Sequence, residues 1–201
     1  MTSRTAEDRK KWEELYATGK RPDRPASSWV VDTLNRLPND GLVADIAGGS
    51  GRHARVLASP DRPFVLADFI LDAVRRACAA NASVQGVVTD VTRLPFRESS
   101  FGTVLVANFL NRFLFADLTG LLVPGGHLVY ETYTLDHLNL VERGLARGPT
   151  TTEFLLQPGE LRELVKPLAV LEYWEGEVED DAGRRCCARL LGKKPEAAGE
   201  S

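Results

Sequence analysis

The chain has 201 residues, 43% of them hydrophobic and 26% charged, with a formal net charge of −3. That length suits one domain with a sizeable core, and the mild acidity argues against a nucleic-acid or membrane partner recruited by bulk electrostatics. Cys78, Cys186 and Cys187 are an odd set with two adjacent members, which argues against a disulfide framework and points to a reducing cytoplasm. In chain order, the polar start M-T-S-R-T-A-E-D-R-K-K lacks the apolar centre of a signal peptide. Thr5-Ala6-Glu7-Asp8 resembles a capping box and predicts a helix to about Tyr16. A charged, proline-bearing loop from Gly19 to Pro25 follows. Ser27 is placed to cap a second helix with Val30, Val31, Leu34 and Leu37 on one face. Residues 1–40 are therefore expected to form an N-terminal helical cap.

Short apolar runs then alternate with helical patterns. Strands are expected at Leu42–Ile46, Phe64–Ala67, Val84–Val88 and Thr103–Ala107, with helices at about Gly51–Ala58 and Leu71–Ala80 between them. The apolar run from Thr103 to Val123 is broken by Asn108, Asn111, Arg112 and Asp117, so it is not a membrane span. Another helix is expected between Arg112 and Leu122. Pro124-Gly125-Gly126 reads as a turn, and His127–Thr132 as a fifth strand. Residues 134–157 carry only weak helical pattern. Pro158-Gly159-Glu160 opens a short helix to about Val165. Ala169–Val178, a turn at 180–183 and Arg184–Leu191 form a closing hairpin. Residues 193–201 read as a disordered tail. No internal repeat or second domain is evident.

The stretch V-A-D-I-A-G-G-S-G, Val43 to Gly51, carries most information about function. A strand ending in Asp45 runs into Gly48, Gly49 and Gly51 and then into a helix. Such a turn gathers backbone N–H groups and a helix N-terminus around one point. A dinucleotide fingerprint, G-x-G-x-x-G, places a pyrophosphate there. An anion gains nothing beside Asp45, whereas a ligand with a positive amino group does. Asp68 ends the second strand, seventeen residues after Gly51, close to the offset of a ribose-binding acid. Asp90 follows the third strand. Three carboxylates thus line the edge of a parallel sheet where ligands bind.

A-D-I-A-G-G-S-G-R-H, L-A-D-F, T-D-V-T-R-L-P-F and L-V-P-G-G-H-L-V-Y-E-T, in that order and spacing, resemble the motif series of class I S-adenosylmethionine-dependent methyltransferases. The resemblance runs from about Trp12 to Leu191. W-E-E-L-Y, N-F-L-N-R-F-L-F and L-L-Q-P-G-E-L are similar to small bacterial enzymes related to the tellurite-resistance methyltransferases. The resemblance implies an α/β, Rossmann-like, seven-stranded and mostly parallel sheet with an antiparallel last strand and helices on both faces. It implies that Asp45, Ala47, Gly48, Gly49 and Gly51 hold the methionine end of the cofactor. It places Asp68 at the ribose hydroxyls and Asp90 at the adenine with the Val91 backbone nearby, and Phe69 is a further cofactor-binding candidate. Two positions depart from the common pattern. Ala47 stands where a glycine is usual, tolerable if φ stays negative, and Gly102 stands where an acid often follows the aromatic.

Other candidates have plainer readings beside the functional ones. Asp45 could belong to an ordinary strand-to-helix loop, Asp68 could be a helix cap, and Asp90 a turn acid. Trp12 and Tyr16, at i, i+4, either pack together or place a ring near the substrate. Arg21 and Arg24 are either solvated or a carboxylate clamp, Arg24 being a candidate for the cofactor. Asn108 and Phe109 follow strand four at the topological switch point, where Asn108 can serve cofactor and substrate alike. Residues 108–111 lack the D/N-P-P-Y/F signature of many amine-methylating enzymes of nucleic acids and proteins. Arg112 either binds an anionic substrate or caps a helix. Strand alternation lets Tyr130 and Thr132, or Glu131 and Tyr133, face the cleft, but not both pairs; Tyr133 is a substrate candidate.

His53, His127 and His137 lack metal-ligand spacing, so no metal is expected. His127 reads as exposed and His53 as an incidental neighbour of the ligand. One of Cys186 and Cys187 reads as a small core residue. No nucleophile–base pair is visible, and the catalytic residue stays unassigned. The expected function is S-adenosylmethionine-dependent methyl transfer to a small-molecule acceptor, through positioning rather than covalent catalysis. A non-catalytic cofactor-binding module and a nicotinamide-dependent reductase are the rivals. A monomer or homodimer is expected.

Overall fold

The structure is a computed structural model that describes residues 10, 12–16, 18, 24–39 and 41–197. The capping box at Thr5–Asp8, Arg21 and the extreme C-terminal residues lie outside the described residues.

A helical stretch at 12–16 leads to α1 (Ser28–Arg36), β1 (Val43–Ile46), α2 (Ala54–Leu57), β2 (Phe64–Asp68), α3 (Leu71–Ala80) and β3 (Val84–Val88). Next come β4 (Phe101–Ala107), a 3₁₀ turn (Arg112–Leu114), α4 (Phe115–Leu121), β5 (Leu122–Tyr133), α5 (His137–Glu142) and a 3₁₀ turn (Thr152–Phe154). α6 (Glu160–Leu164), β6 (Ala169–Val178) and β7 (Arg185–Lys193) close the chain. The strands form one seven-stranded sheet in the order β3-β2-β1-β4-β5-β7-β6. β1 to β5 pair in parallel, and β7 lies antiparallel between β5 and β6.

Side-chain alternation divides the core into two layers. Ala44, Ile46, Val104, Val106, Leu128 and Tyr130 face one layer, covered by α4 and α6. Val43, Phe64, Leu66, Leu105 and Val129 face the other, covered by α1, α2 and α3. The central strands are buried on both faces, as continuous apolar runs require in a parallel sheet. The four predicted residues of α1 follow the same logic. Val30 and Leu34 are buried, while Val31 and Leu37 pack beside them.

Five local expectations change. α2 starts at Ala54 rather than Gly51, because Gly49 and Gly51 have φ of +58° and +72°. A left-handed residue cannot continue a right-handed helix. A Cβ at Gly51 would also stand 2.7 Å from that of Ala77, so glycine permits the turn and α3 to meet. Pro124-Gly125-Gly126 is not a turn before the strand but an irregularity inside β5. Pairing jumps from Phe101↔Leu122 to Thr103↔His127 across it, as in a large bulge. The C-terminal segment is ordered to a later point than expected: Lys193 belongs to β7, and Lys194 exchanges backbone hydrogen bonds with Gly125 and Gly126. His127 is half-buried rather than exposed, and Cys186 and Cys187 are both buried.

Candidate functional site

β1 and β4 are neighbours whose continuing strands diverge to opposite sides of the sheet. Their C-terminal ends therefore bound the topological crevice of an open α/β sheet. A cavity lies there, walled by Asp45, Gly48, Gly49, Asn108, Arg52 and Arg24, with Ala47, Ser50, His53, Arg76, Ala107 and Tyr16 completing the lining.

The backbone at both strand ends is unusual. Ala47 has φ of +56° and Asn108 φ of +59°. The expectation of a negative φ at Ala47 is therefore overturned: the chain needs the glycine conformation there and carries a methyl group in it. Asparagine tolerates the left-handed region better than alanine does. The Asn108 amide N–H donates to the Glu131 carbonyl at 2.7 Å, which pins the bend to β5.

Three buried side-chain atoms of residues around this cavity have no hydrogen-bond partner among the described residues: Asp45 Oδ2, Arg52 Nη2 and Asn108 Oδ1. Asp45 is 1% exposed. Burial pushes its carboxyl up to about 7, with Arg52 opposing and Asp68 adding to the rise. A Cβ at Gly48 would stand 2.8 Å from the Asp45 Cγ, so the missing side chain leaves room for this carboxyl. Burial likewise lowers the Arg52 guanidinium, against the attraction of Glu131. Arg52 Nη1 donates to the Pro25 carbonyl at 3.4 Å.

Asp68 is buried beside the glycine turn. Its Oδ2 accepts from the Gly49 N–H and its Oδ1 from the Ile70 N–H, each at 2.9 Å. The carboxylate thus ties the turn to the start of α3, which unites the cap reading with a place at the sheet edge. Asp90 lies beyond β3. Its Oδ1 accepts from the Thr92 N–H and hydroxyl. Burial pushes Asp90 up, but the Thr92 bonds outweigh it and the carboxyl sits below its ordinary value. Val91 is buried in the core. Asp68, Phe69, Asp90 and Val91 follow the same strand edge without walling the cavity itself.

Tyr16 walls the cavity and packs with Ile70 and Ala73, with Trp12 and Phe69 against them. Trp12 therefore serves packing on α3 and is not part of the wall. Arg24 donates to the Tyr133 hydroxyl at 2.9 Å. Tyr133 faces a second cleft beside the first, on the side of the sheet opposite Tyr130. Tyr130 stacks on Phe115 with ring centroids 5.1 Å apart and donates to the Phe109 carbonyl.

The substrate reading of Arg112 does not fit its surroundings. Its guanidinium is bonded to the Glu160 carboxylate and to the carbonyls of Glu153 and Leu155, which fixes the loop after β4 to α6. Ser27 also differs from expectation. Its hydroxyl leaves the helix end uncapped and donates to Glu131 at 2.9 Å. Its N–H donates to His53 Nε2 at 3.2 Å. That bond needs a neutral imidazole, and burial holds His53 well below its ordinary value. His53 is thus a structural tie between the N-terminal segment and the turn.

Sequence reasoning missed Arg52 and Arg76 as cavity residues. A signal existed for Arg52. A cation beside a helix N-terminus opposes the helix dipole, so another force must keep it there. Among the described residues, no group of three or more His, Cys, Asp or Glu side chains is placed to hold a metal ion. No helix among them is long and apolar enough to cross a membrane.

Strand order, glycine turn and acid-ended strands together define a Rossmann-like α/β architecture. Residues 44–130 match the family described as a methyltransferase domain. A demethylmenaquinone methyltransferase from Clavibacter sepedonicus is 32% identical over 126 residues, which is 58% of this chain and 51% of that protein. The chain thus spans about half the length of the curated relative it matches. A SAM-dependent methyltransferase from Methanosarcina mazei shares the fold with a TM-score of 0.68 at 21% identity, covering 86% of this chain and 99% of that one. TehB from Haemophilus influenzae does so with a TM-score of 0.65 at 19% identity, covering 84% of this chain and 62% of that one. These likenesses show a methyltransferase-like fold.

Proposed function

We propose that this protein transfers a methyl group from S-adenosylmethionine to a small-molecule acceptor by in-line displacement. One observation carries the reading: three residues that line one cavity hold a buried carboxylate oxygen, a buried guanidinium nitrogen and a buried amide oxygen with no hydrogen-bond partner among the described residues. Buried polar groups left unpaired are costly. A ligand with both an ammonium and a carboxylate would satisfy all three, and the methionine end of the cofactor has both. Asp45 and Asn108 would accept from the ammonium. Arg52 and Arg24 would donate to the carboxylate. Gly48, Gly49 and Gly51, with Ala47, would let the backbone approach. A carboxylate has about four acceptor positions, more than the two backbone bonds of Asp68 use, so Asp68 can also take ribose hydroxyls. Asp90 and the Val91 backbone would meet the adenine.

When bound, the cofactor supplies a methyl group already activated on a sulfonium. The chain's part is to position and to exclude water. Tyr16 can favour positive charge nearby through its ring face. Asn108, at the mouth of the crevice, orients what approaches from the acceptor side. No covalent intermediate is required. A general base is needed only for an acceptor that must lose a proton. A reducing cytoplasm is the compartment proposed, from the three free thiols.

The test is incubation with cofactor labelled in the methyl group and a panel of small acceptors. Label should pass to at least one acceptor. Binding of S-adenosylhomocysteine with no transfer to any acceptor would favour a non-catalytic binding module. Thermal stabilisation by NADH and not by S-adenosylhomocysteine would favour the reductase.

A further inference from the structure

A second cleft, of about 360 Å³, adjoins the cofactor cavity and shares Arg24 with it. Its walls come from four parts of the chain: the segment before α1, the end of β5, the loop after α5 and the turn between β6 and β7. Arg24, Arg147, Arg184 and Arg185 line it, and no acidic residue among the described ones does. In a chain of net charge −3, that is a local reversal of sign.

These cations are not equally compensated. Arg184 is paired with Glu177, and Arg185 with Asp180 and Glu131. Among the described residues, Arg24 meets two neutral oxygens, the Tyr133 hydroxyl and the Arg147 carbonyl. The Arg147 guanidinium is exposed and has no carboxylate partner among the described residues. Arg185 is 3% exposed, yet its Nε has no hydrogen-bond partner among the described residues. Leu145 and Ala146 add an apolar wall. The volume lies in the range of small-molecule sites. Guanidinium groups bind planar or tetrahedral anions through paired hydrogen bonds.

We propose that this cleft is the acceptor site and selects a small acceptor carrying a carboxylate or phosphate beside an apolar body. The inference rests on the methyl-transfer reading, because Arg24 connects the cleft to the cavity where the methyl group would lie. Arg147 is the specificity residue, since its charge is exposed in the cleft and it takes no part in the cofactor cavity.

The experiment titrates benzoate, phenyl phosphate and neutral benzamide into the full chain saturated with S-adenosylhomocysteine, and into the chain without it. At least one anion should bind about tenfold more tightly than benzamide, as a charge-assisted pair allows. Arg147→Gln should remove most of that preference and leave S-adenosylhomocysteine affinity unchanged. Benzoate against phenyl phosphate tells carboxylate from phosphate. Equal binding of all three probes, or an anion preference that survives Arg147→Gln, would overturn the proposal. Failure of S-adenosylhomocysteine to bind would count against the cofactor reading instead, while the titrations without it still decide the cleft's preference.

Discussion

Ala47 carries a cost that its neighbours explain. It occupies the left-handed region at φ of +56°, where an L-residue loses roughly 1–2 kcal/mol. Glycine would relieve this and return part of the gain as unfolded-state entropy, roughly 0.5–1 kcal/mol. Ala47→Gly should therefore raise the melting temperature by about 2 °C for a protein of this length, measurable by thermal unfolding. An unchanged or lower melting temperature would show that the alanine is unstrained. The sequence showed that a glycine was missing here but not the sign of φ, because φ depends on where β1 must turn to clear β2 and β4. Asp45 has a different cost. Its carboxyl holds a proton up to about 7 in the folded chain but loses it near 3.9 when unfolded. The folded state thus gains from this group at acid pH, and the gain is lost as pH rises from about 4 to about 7.

The elements meet in a buried ionic cluster at the end of β5. Glu131, fully buried, accepts from Arg189 at 2.8 Å and from Arg185 at 3.2 Å, both on β7, and from Ser27 before α1. Asp180, in the turn between β6 and β7, bonds Arg185 as well. Removing one member of a buried pair costs roughly 3–5 kcal/mol, because the partner's charge remains. Glu131→Ala should lower the melting temperature by roughly 10 °C, and Glu131→Gln by less. A shift of a degree or two would mean that the arginines find other partners. Little of this was legible in the sequence. Strand alternation grouped Glu131 with Tyr133, but its partners lie 54 and 58 residues away. The same limit applies to Arg112, whose bonds to Glu160 and two carbonyls depend on how the loop after β4 meets α6. Pro124-Gly125-Gly126 announced a backbone irregularity. That it falls inside β5 depends on pairing with β4.

Across the molecule, what was legible is what repeats locally. Apolar runs ending in Asp45, Asp68 and before Asp90, with a glycine turn after the first, set the sheet edge and the site. The strand order and the antiparallel β7 came from the resemblance that those motifs carry. The arginine-lined cleft was out of reach, because Arg24, Arg147 and Arg184 share no local pattern. Proton linkage tests most directly whether Asp45 is the partner of a ligand ammonium. S-adenosylhomocysteine binding should be measured by calorimetry at pH 6 and pH 8, in buffers of differing ionisation enthalpy. An ammonium beside Asp45 favours its charged form, so binding at pH 6 should release close to one proton and at pH 8 almost none. Affinity should rise about tenfold between the two. Absence of binding, or binding with the same affinity at both pH values and no proton released, would contradict the account.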